Sequence, residues 1–366
     1  MSRTPTAPLV SVVIPCLNAG RMLAGAVSSV LGQTVPNLEI IFVDNGSSDG
    51  SAEIAERMLL RGGRPYRLAV CAERGVNAAR NHGYALARGD FIQWMDADDR
   101  LDPDKIDLQL QALRARPEFD IAYGDWTQIT LRPPAAPLTK RHELRQVNDQ
   151  VERVLSGVWY PLHVYLVRRA AAERLQEIEA WPPSRRLGTD AEYSALAALV
   201  GMKFLHVPGA HVVYNIWSAA QISSGTPYAE RVEALGAIYA RLRAFVEAGV
   251  ARPVKPAHRR LLDQDWGVWR LNPDLTELTR LGPRLFRLRR PGDARAVELR
   301  PREAAVAAAL MASGRAMAIC HHALTVAAGE PDLVDAVPFV FDTIDRLRQA
   351  GFLERWDAAS GKPIAT

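Results

Sequence analysis

Short apolar runs alternate with helical patterns through the first third of this 366-residue chain. That rhythm constrains the fold more than any other feature. "LVSVVIP" (9–15), "LEIIFVD" (38–44), "YRLAVC" (66–71) and "DFIQWMD" (90–96) are rich in Val, Ile and aromatic residues, as expected of strands buried on both faces. Between them, "RMLAGAVSSVLGQ" repeats apolar residues at helical spacing, "SSDGSAEIAERMLL" opens with capping residues, and "GVNAARNHGYALARG" starts and stops on glycine. Strand and helix in this order imply right-handed crossovers and a mainly parallel sheet, an α/β fold. Ligands bind such sheets at the carboxyl ends of the strands, where Asp44 and Asp96 are expected to open on one edge.

The second of these ends is crowded: "DADD" places Asp96, Asp98 and Asp99 behind an apolar run. Carboxylates so close repel one another unless they share a positive partner or stay solvated. The alternatives are a bound divalent cation and a solvated loop capping the helix that begins near Pro103. Neither G-x-G-x-x-G nor G-x-x-x-x-G-K-[ST] occurs, so a dinucleotide fold or P-loop is unsupported. Mg²⁺ or Mn²⁺ held by one or two acids could instead bridge the protein to a diphosphate.

Further on, "PDKIDLQLQALRARP" (103–117) reads as a helix, "FDIAYGDW" as a strand, and "LRPPAAPLTKRHEL" as a proline-rich loop. "RRLGTDAEYSALAALVGMKFLHVP" brings Asp190 to the start of an apolar helix, as an N-cap or as a functional acid.

"VSVVIPCLNAGRMLAGAVSSVLGQTVPNLEIIFVDNGSSDGS", followed by "GVNAARNHGYALARGDFIQWMDADDRLDPDKI", closely resembles glycosyltransferase family 2, the inverting sugar transferases of GT-A fold. The match covers about 9–117 and fades through "TDAEY" and "VYNIWSAAQIS" to end near 225. The resemblance implies a nucleotide-diphospho-sugar transferase fold with a DxD motif at Asp96 and Asp98 holding Mn²⁺ or Mg²⁺. It implies a nucleotide-sugar cradle of Pro15, Leu17, Asp44, Asn45, Arg80, Asp96 and Ala97, and a UDP-sugar as the donor. Asn45 and Thr189 stand where relatives often carry acids. Asn45 and Asp44 could otherwise form a turn, and Arg80 could be a solvated helix residue. Asp190 matches the catalytic base, with Glu192 the weaker candidate. An inverting transferase needs one carboxylate to take the acceptor's proton opposite a leaving group whose charge a metal offsets.

Other polar and aromatic residues carry two readings each. Trp159, Tyr160 and His163 suit a sugar or acceptor platform or ordinary packing. His211 suits a late metal or phosphate contact or a satisfied core histidine, while the adjacent His321 and His322 read as structural because they point about 100° apart on a helix.

The net charge of +4 is regional: residues 252–302 hold 13 Lys/Arg against 6 Asp/Glu, so the remainder sums to −3. We divide the chain into a GT-A domain (1–225), a helical and basic linker (226–283) and a mostly helical domain (284–366). In the linker, "YAERVEALGAIYARLRAFVEAG" reads as an amphipathic helix that could serve a homodimer face, a lid support or the core. The leading "AVELRPRE" and closing "AGFL" of the last part are similar to the peptide-binding winged helices of ribosomal-peptide biosynthesis. A peptide or glycan acceptor could dock there. Nucleic acid ranks below protein because the final helix, "DTIDRLRQ", is mixed in charge. A non-catalytic or regulatory binding protein, its winged helix holding peptide or DNA, is the competing class. Three scattered cysteines suit a reducing cytoplasm, and no 18-residue apolar stretch occurs for a transmembrane segment.

Overall fold

The computed structural model describes residues 9–132, 134–217, 225–252, 254–328 and 333–364. The chain forms two compact units, Met1–Asn148 with Tyr160–Gly225, and Asp149–Trp159 with Thr226–Thr366.

The first unit opens with β1 (Val10–Cys16), α1 (Leu23–Leu31), β2 (Leu38–Asp44), α2 (Ser51–Arg61), β3 (Tyr66–Val70), α3 (Val76–Leu86) and β4 (Phe91–Trp94). There follow β5 (Arg100–Leu101), α4 (Lys105–Ala115), β6 (Ile121–Tyr123), β7 (Trp126–Arg132) and β8 (Ala135–His142). After α5 (Gln150–Leu155), which belongs to the second unit, come β9 (Leu166–Arg168), α6 (Arg169–Glu177), α7 (Thr189–Leu199), β10 (Phe204–His206) and β11 (Val212–Ile216). Seven strands make the main sheet in the order β10-β6-β9-β4-β1-β2-β3. All its pairings are parallel except those of β9, which runs antiparallel to β4 and β6.

Full burial of β1, β2 and β4 explains their continuous apolar runs. β3 departs from the expectation of two buried faces. It is the edge strand, with Val70 73% exposed, so its apolar residues reflect strand propensity rather than a double-sided core. The proline-rich stretch read as a loop also departs. Residues 135–142 form β8, antiparallel to β7 in a second sheet of order β5-β11-β7-β8. Seven of its eight residues are exposed, so the strand is held by backbone pairing and shows no apolar alternation. α3 ends at Leu86, short of Gly89, and α2 is preceded by a left-handed Gly50 without a side-chain cap.

The second unit contains α5, α8 (Tyr228–Glu247), α9 (Pro256–Leu262), β12 (Val268–Leu271), β13 (Glu277–Gly282), β14 (Leu285–Arg289) and β15 (Ala296–Leu299). α10 (Pro301–Ser313), α11 (Ile319–Ala327), α12 (Leu333–Gln349) and β16 (Leu353–Trp356) complete it. β13, β14 and β15 form an antiparallel sheet, and β12, from the stretch read as linker, pairs with β16. α5 is tied in by the Tyr239 hydroxyl, which donates to the Leu155 carbonyl at 2.6 Å. Asp149 accepts from Lys255 Nζ at 2.6 Å and His258 Nε2 at 2.9 Å. Among the described residues no helix is long and apolar enough to cross a membrane.

Candidate active site

Strand register fixes where the acids emerge. Cys16 lies opposite Asp44, and Val13 lies opposite Trp94, after which the Met95 N–H still reaches the Val13 carbonyl at 3.0 Å. β1, β2 and β4 run parallel, so Asp44 and Asp96 leave the sheet on one edge, as their positions at strand ends predict.

The loops there are laced together by short polar side chains. Asn18, at φ +51°, donates its N–H to Ser47 Oγ at 3.0 Å and accepts from the Ser48 N–H at 2.8 Å. Pro15 is buried in β1, whereas Leu17 is exposed in the loop beyond it. The Asp44 carboxylate accepts from the Gly46 and Ser47 N–H groups at 3.1 and 3.2 Å, forming the turn. The Asn45 amide donates to the carbonyls of Cys71 and Glu73 and accepts from the Gly75 N–H. Asn45 therefore fixes the loop between β3 and α3.

Arg80 is only 3% exposed, not a solvated helix residue. Gly83 lets α3 lie close on the sheet, since a Cβ there would stand 2.5 Å from Val13 Cγ1, and Arg80 sits one turn earlier. Its guanidinium donates to Asp96 Oδ1 at 3.0 Å and Thr189 Oγ1 at 3.1 Å, and stands 3.4 Å from Asp190 Oδ1. It also lies 4.5 Å from the centre of the Trp181 ring. Trp181 stacks on Tyr193 at 4.3 Å, and Trp94 meets Trp181 edge-on at 5.5 Å. Asn77 and Asn81 of α3 donate to the carbonyls of Pro182 and Trp181. This aromatic wall holds Arg80 in place.

Asp190 is not the helix cap. Gly188, in the left-handed conformation, precedes α7, and Asp190 stands in its first turn, 23% exposed. Burial raises its pKa above the usual carboxylate value; Arg80 pulls it down and Asp96 pushes it up. Glu192 is buried and bonded to Arg185 Nε at 3.0 Å, which leaves Asp190 as the acid facing Asp96 across Arg80.

The acidic loop divides its tasks. Ala97 is buried. Asp98 accepts through Oδ2 from Trp217 Nε1 at 2.9 Å, and its carbonyl accepts from Asn215 Nδ2 at 2.8 Å. Asp99 turns inward: Oδ1 accepts from the Asn215 N–H at 2.6 Å, and Oδ2 lies 3.3 Å from Nδ1 of the buried His163. One ligand atom each from Asp96, Asp99 and His163 lies within 4.8 Å of the others. Carboxylates and an imidazole so gathered fit a divalent cation.

Sequence reasoning counted Asp99 in the acidic run without giving it a role of its own, and passed over Trp181, Tyr193, Asn215 and Trp217. The "DADD" run and the "AW" before "PP" were the available signals. Tyr160 packs in the core on Tyr123, and His211 is braced by Asp102 Oδ2 at 3.0 Å and Thr127 Oγ1 at 2.8 Å. His321 accepts or donates with the Tyr228 hydroxyl, His322 faces the Trp269 carbonyl, and burial drives the His321 pKa down to about 4. Residues 218–224, within the "WSAAQIS" end of the resemblance, lie outside the described residues.

This sheet, with acids at its carboxyl edge, has the architecture of the GT-A glycosyltransferases. TarS of S. aureus, residues 1–349 in complex with UDP-GlcNAc, superposes with a TM-score of 0.52 over 69% of this chain and 70% of that one, at 14% identity. The mannosyltransferase PcManGT of Pyrobaculum calidifontis, in complex with GDP-Man and Mn²⁺, gives 0.50 over 70% and 69%, at 19% identity. Residues 11–172 match the family model "Glycosyl transferase family 2". The glycosyltransferase GlyG of Streptococcus pneumoniae serotype 4 is 34% identical over 118 residues, 32% of this chain and 39% of the relative. The chain spans half or less of the length of the curated relatives it matches.

Proposed function

We propose that the protein is an inverting glycosyltransferase that moves a sugar from a nucleotide-diphospho-sugar, a UDP-sugar first among donors, to an acceptor nucleophile. The observation that carries this reading is Arg80, which brings the DxD acid Asp96 and the helix acid Asp190 to one point although they are far apart in sequence. Pro15, Leu17 and Asp44 line the donor's approach, and Asn45 holds the neighbouring loop. Asp96 and Asp98 would hold Mn²⁺ or Mg²⁺. When bound, the cation offsets the negative charge that develops on the departing diphosphate.

Asp190 accepts the proton of the acceptor hydroxyl as its oxygen bonds to the anomeric carbon. The bond from that carbon to the diphosphate breaks on the opposite side, its electron pair leaves with the nucleotide, and the configuration inverts. Burial that raises the Asp190 pKa strengthens it as a base, while Arg80 favours its ionised form. Trp181 and Tyr193 keep water from the far side of Arg80. The free, buried Cys16 and Cys71 suit a cytoplasmic setting. A peptide or glycan acceptor docked through the second unit is the finer part of the proposal, supported by the basic stretch 252–302. The Arg80 constellation argues against a non-catalytic binding protein, because such a role needs no base beside the acidic loop.

Hydrolysis of a panel of nucleotide sugars in Mn²⁺ tests the proposal. The parent should release sugar slowly from one donor class, and Asp190→Asn should lower that rate by about 10²-fold or more while leaving nucleotide affinity intact. Parent-level hydrolysis in the variant would place the base elsewhere.

A further inference from the structure

We propose that Asp96, Asp99 and His163 form a cation position of their own, filled before any nucleotide arrives and selective for a transition metal over Mg²⁺. It is distinct from a diphosphate-bridged ion at Asp98, sharing only Asp96 with it.

The geometry comes first. The three ligand atoms lie within 4.8 Å of one another. Ligands about 2.1 Å from one divalent ion stand about 3 Å apart when adjacent and about 4.2 Å apart when opposite, so the three side chains would close in on the ion as it binds. Asp99 and His163 are buried, whereas Asp96 is 25% exposed and provides the route from solvent.

Unspent polar groups are the second observation. The His163 ring is fully buried, and neither ring nitrogen makes a well-formed hydrogen bond, although the Val213 backbone lies close to it. Asp99 Oδ2, aimed at the same point, has no hydrogen-bond partner either. A shared cation would satisfy Asp99 Oδ2 and one of the two ring nitrogens, atoms otherwise buried without a hydrogen-bond partner. The remaining Asp99 oxygen is oriented by the Asn215 N–H, as a metal ligand's second oxygen commonly is.

Ligand type completes the argument. Two carboxylates and one imidazole suit Mn²⁺, Fe²⁺ or Zn²⁺, whereas Mg²⁺ favours oxygen alone.

The test uses the full chain and Mn²⁺ alone, followed by electron paramagnetic resonance. One Mn²⁺ should bind without nucleotide, and a tenfold excess of Mg²⁺ should displace little of it. His163→Gln and Asp99→Asn should weaken that binding at least tenfold, while Asp98→Asn keeps it. Because the buried variants could misfold, the unaltered protein gives a second readout: the spin echo of bound Mn²⁺ should show coupling to a nitrogen nucleus. Absence of nucleotide-free binding, or bound Mn²⁺ without nitrogen coupling, overturns the proposal. Binding that appears only with nucleotide and depends on Asp98 would also overturn it, yet would leave the transferase reading standing.

Discussion

The two units use charge in opposite ways. In the first, Arg80 is buried and shared among Asp96, Asp190 and Thr189. In the second, the basic stretch is spread over the surface and paired locally: Arg289 with Glu277, Arg287 with Glu298 and Arg295 with Asp293. Burial removes water that would otherwise screen the first arrangement, so each group there depends on its partners. Exposed pairs exchange one solvated state for another and contribute little. Charge excess in a sequence therefore says less about a site than the depth at which a few charges meet.

The sharpest way to break this contrast is Arg80→Ala, which leaves two neighbouring carboxylates without their cation. Urea unfolding should show a loss of about 3 kcal/mol, at the lower end for a broken buried pair because both acids keep some access to water. A loss below about 1 kcal/mol would put Arg80 with the surface pairs.

A smaller effect sharpens the same contrast through pH. The base must be ionised to accept a proton, and burial raises the Asp190 pKa, so hydrolysis should fall as pH drops through a value above the ordinary 3.8. The fall should approach tenfold per pH unit below that value, and the residual activity of Asp190→Asn should lack this limb. An unchanged limb in the variant would assign it to another group.

At the far end stands Arg289→Ala in the second unit. Its partner Glu277 is also exposed, and thermal or urea unfolding should register about 0.5 kcal/mol or less. A loss several times larger would mean that the basic sheet is held by its ion pairs.

How far the sequence disclosed the site follows from the range of each interaction. Asp44 and Asp96 were legible because strand ends and a parallel sheet are local patterns, and register then aligns them. The acid at Asp190 was visible through its motif, but its surroundings were not. Arg80 read equally well as a solvated helix residue, because its partners Thr189 and Asp190 lie more than a hundred residues away and nothing local marks the helix face as buried. The approach of Asp99 to His163 hid for the same reason, as did Asn215, which orients Asp99 from β11. β8 escaped because an exposed strand needs only a backbone partner, a requirement that leaves no apolar period to read.

Calorimetry of nucleoside diphosphate binding tests the central claim most directly. UDP and GDP would be titrated into the parent and Asp98→Ala, each with Mn²⁺ and with chelator. The account predicts that one of the two binds the parent strongly with Mn²⁺ and weakly without it, and that Asp98→Ala loses most of that difference. Affinity that is the same with metal and with chelator, or no binding of either nucleotide, would contradict it.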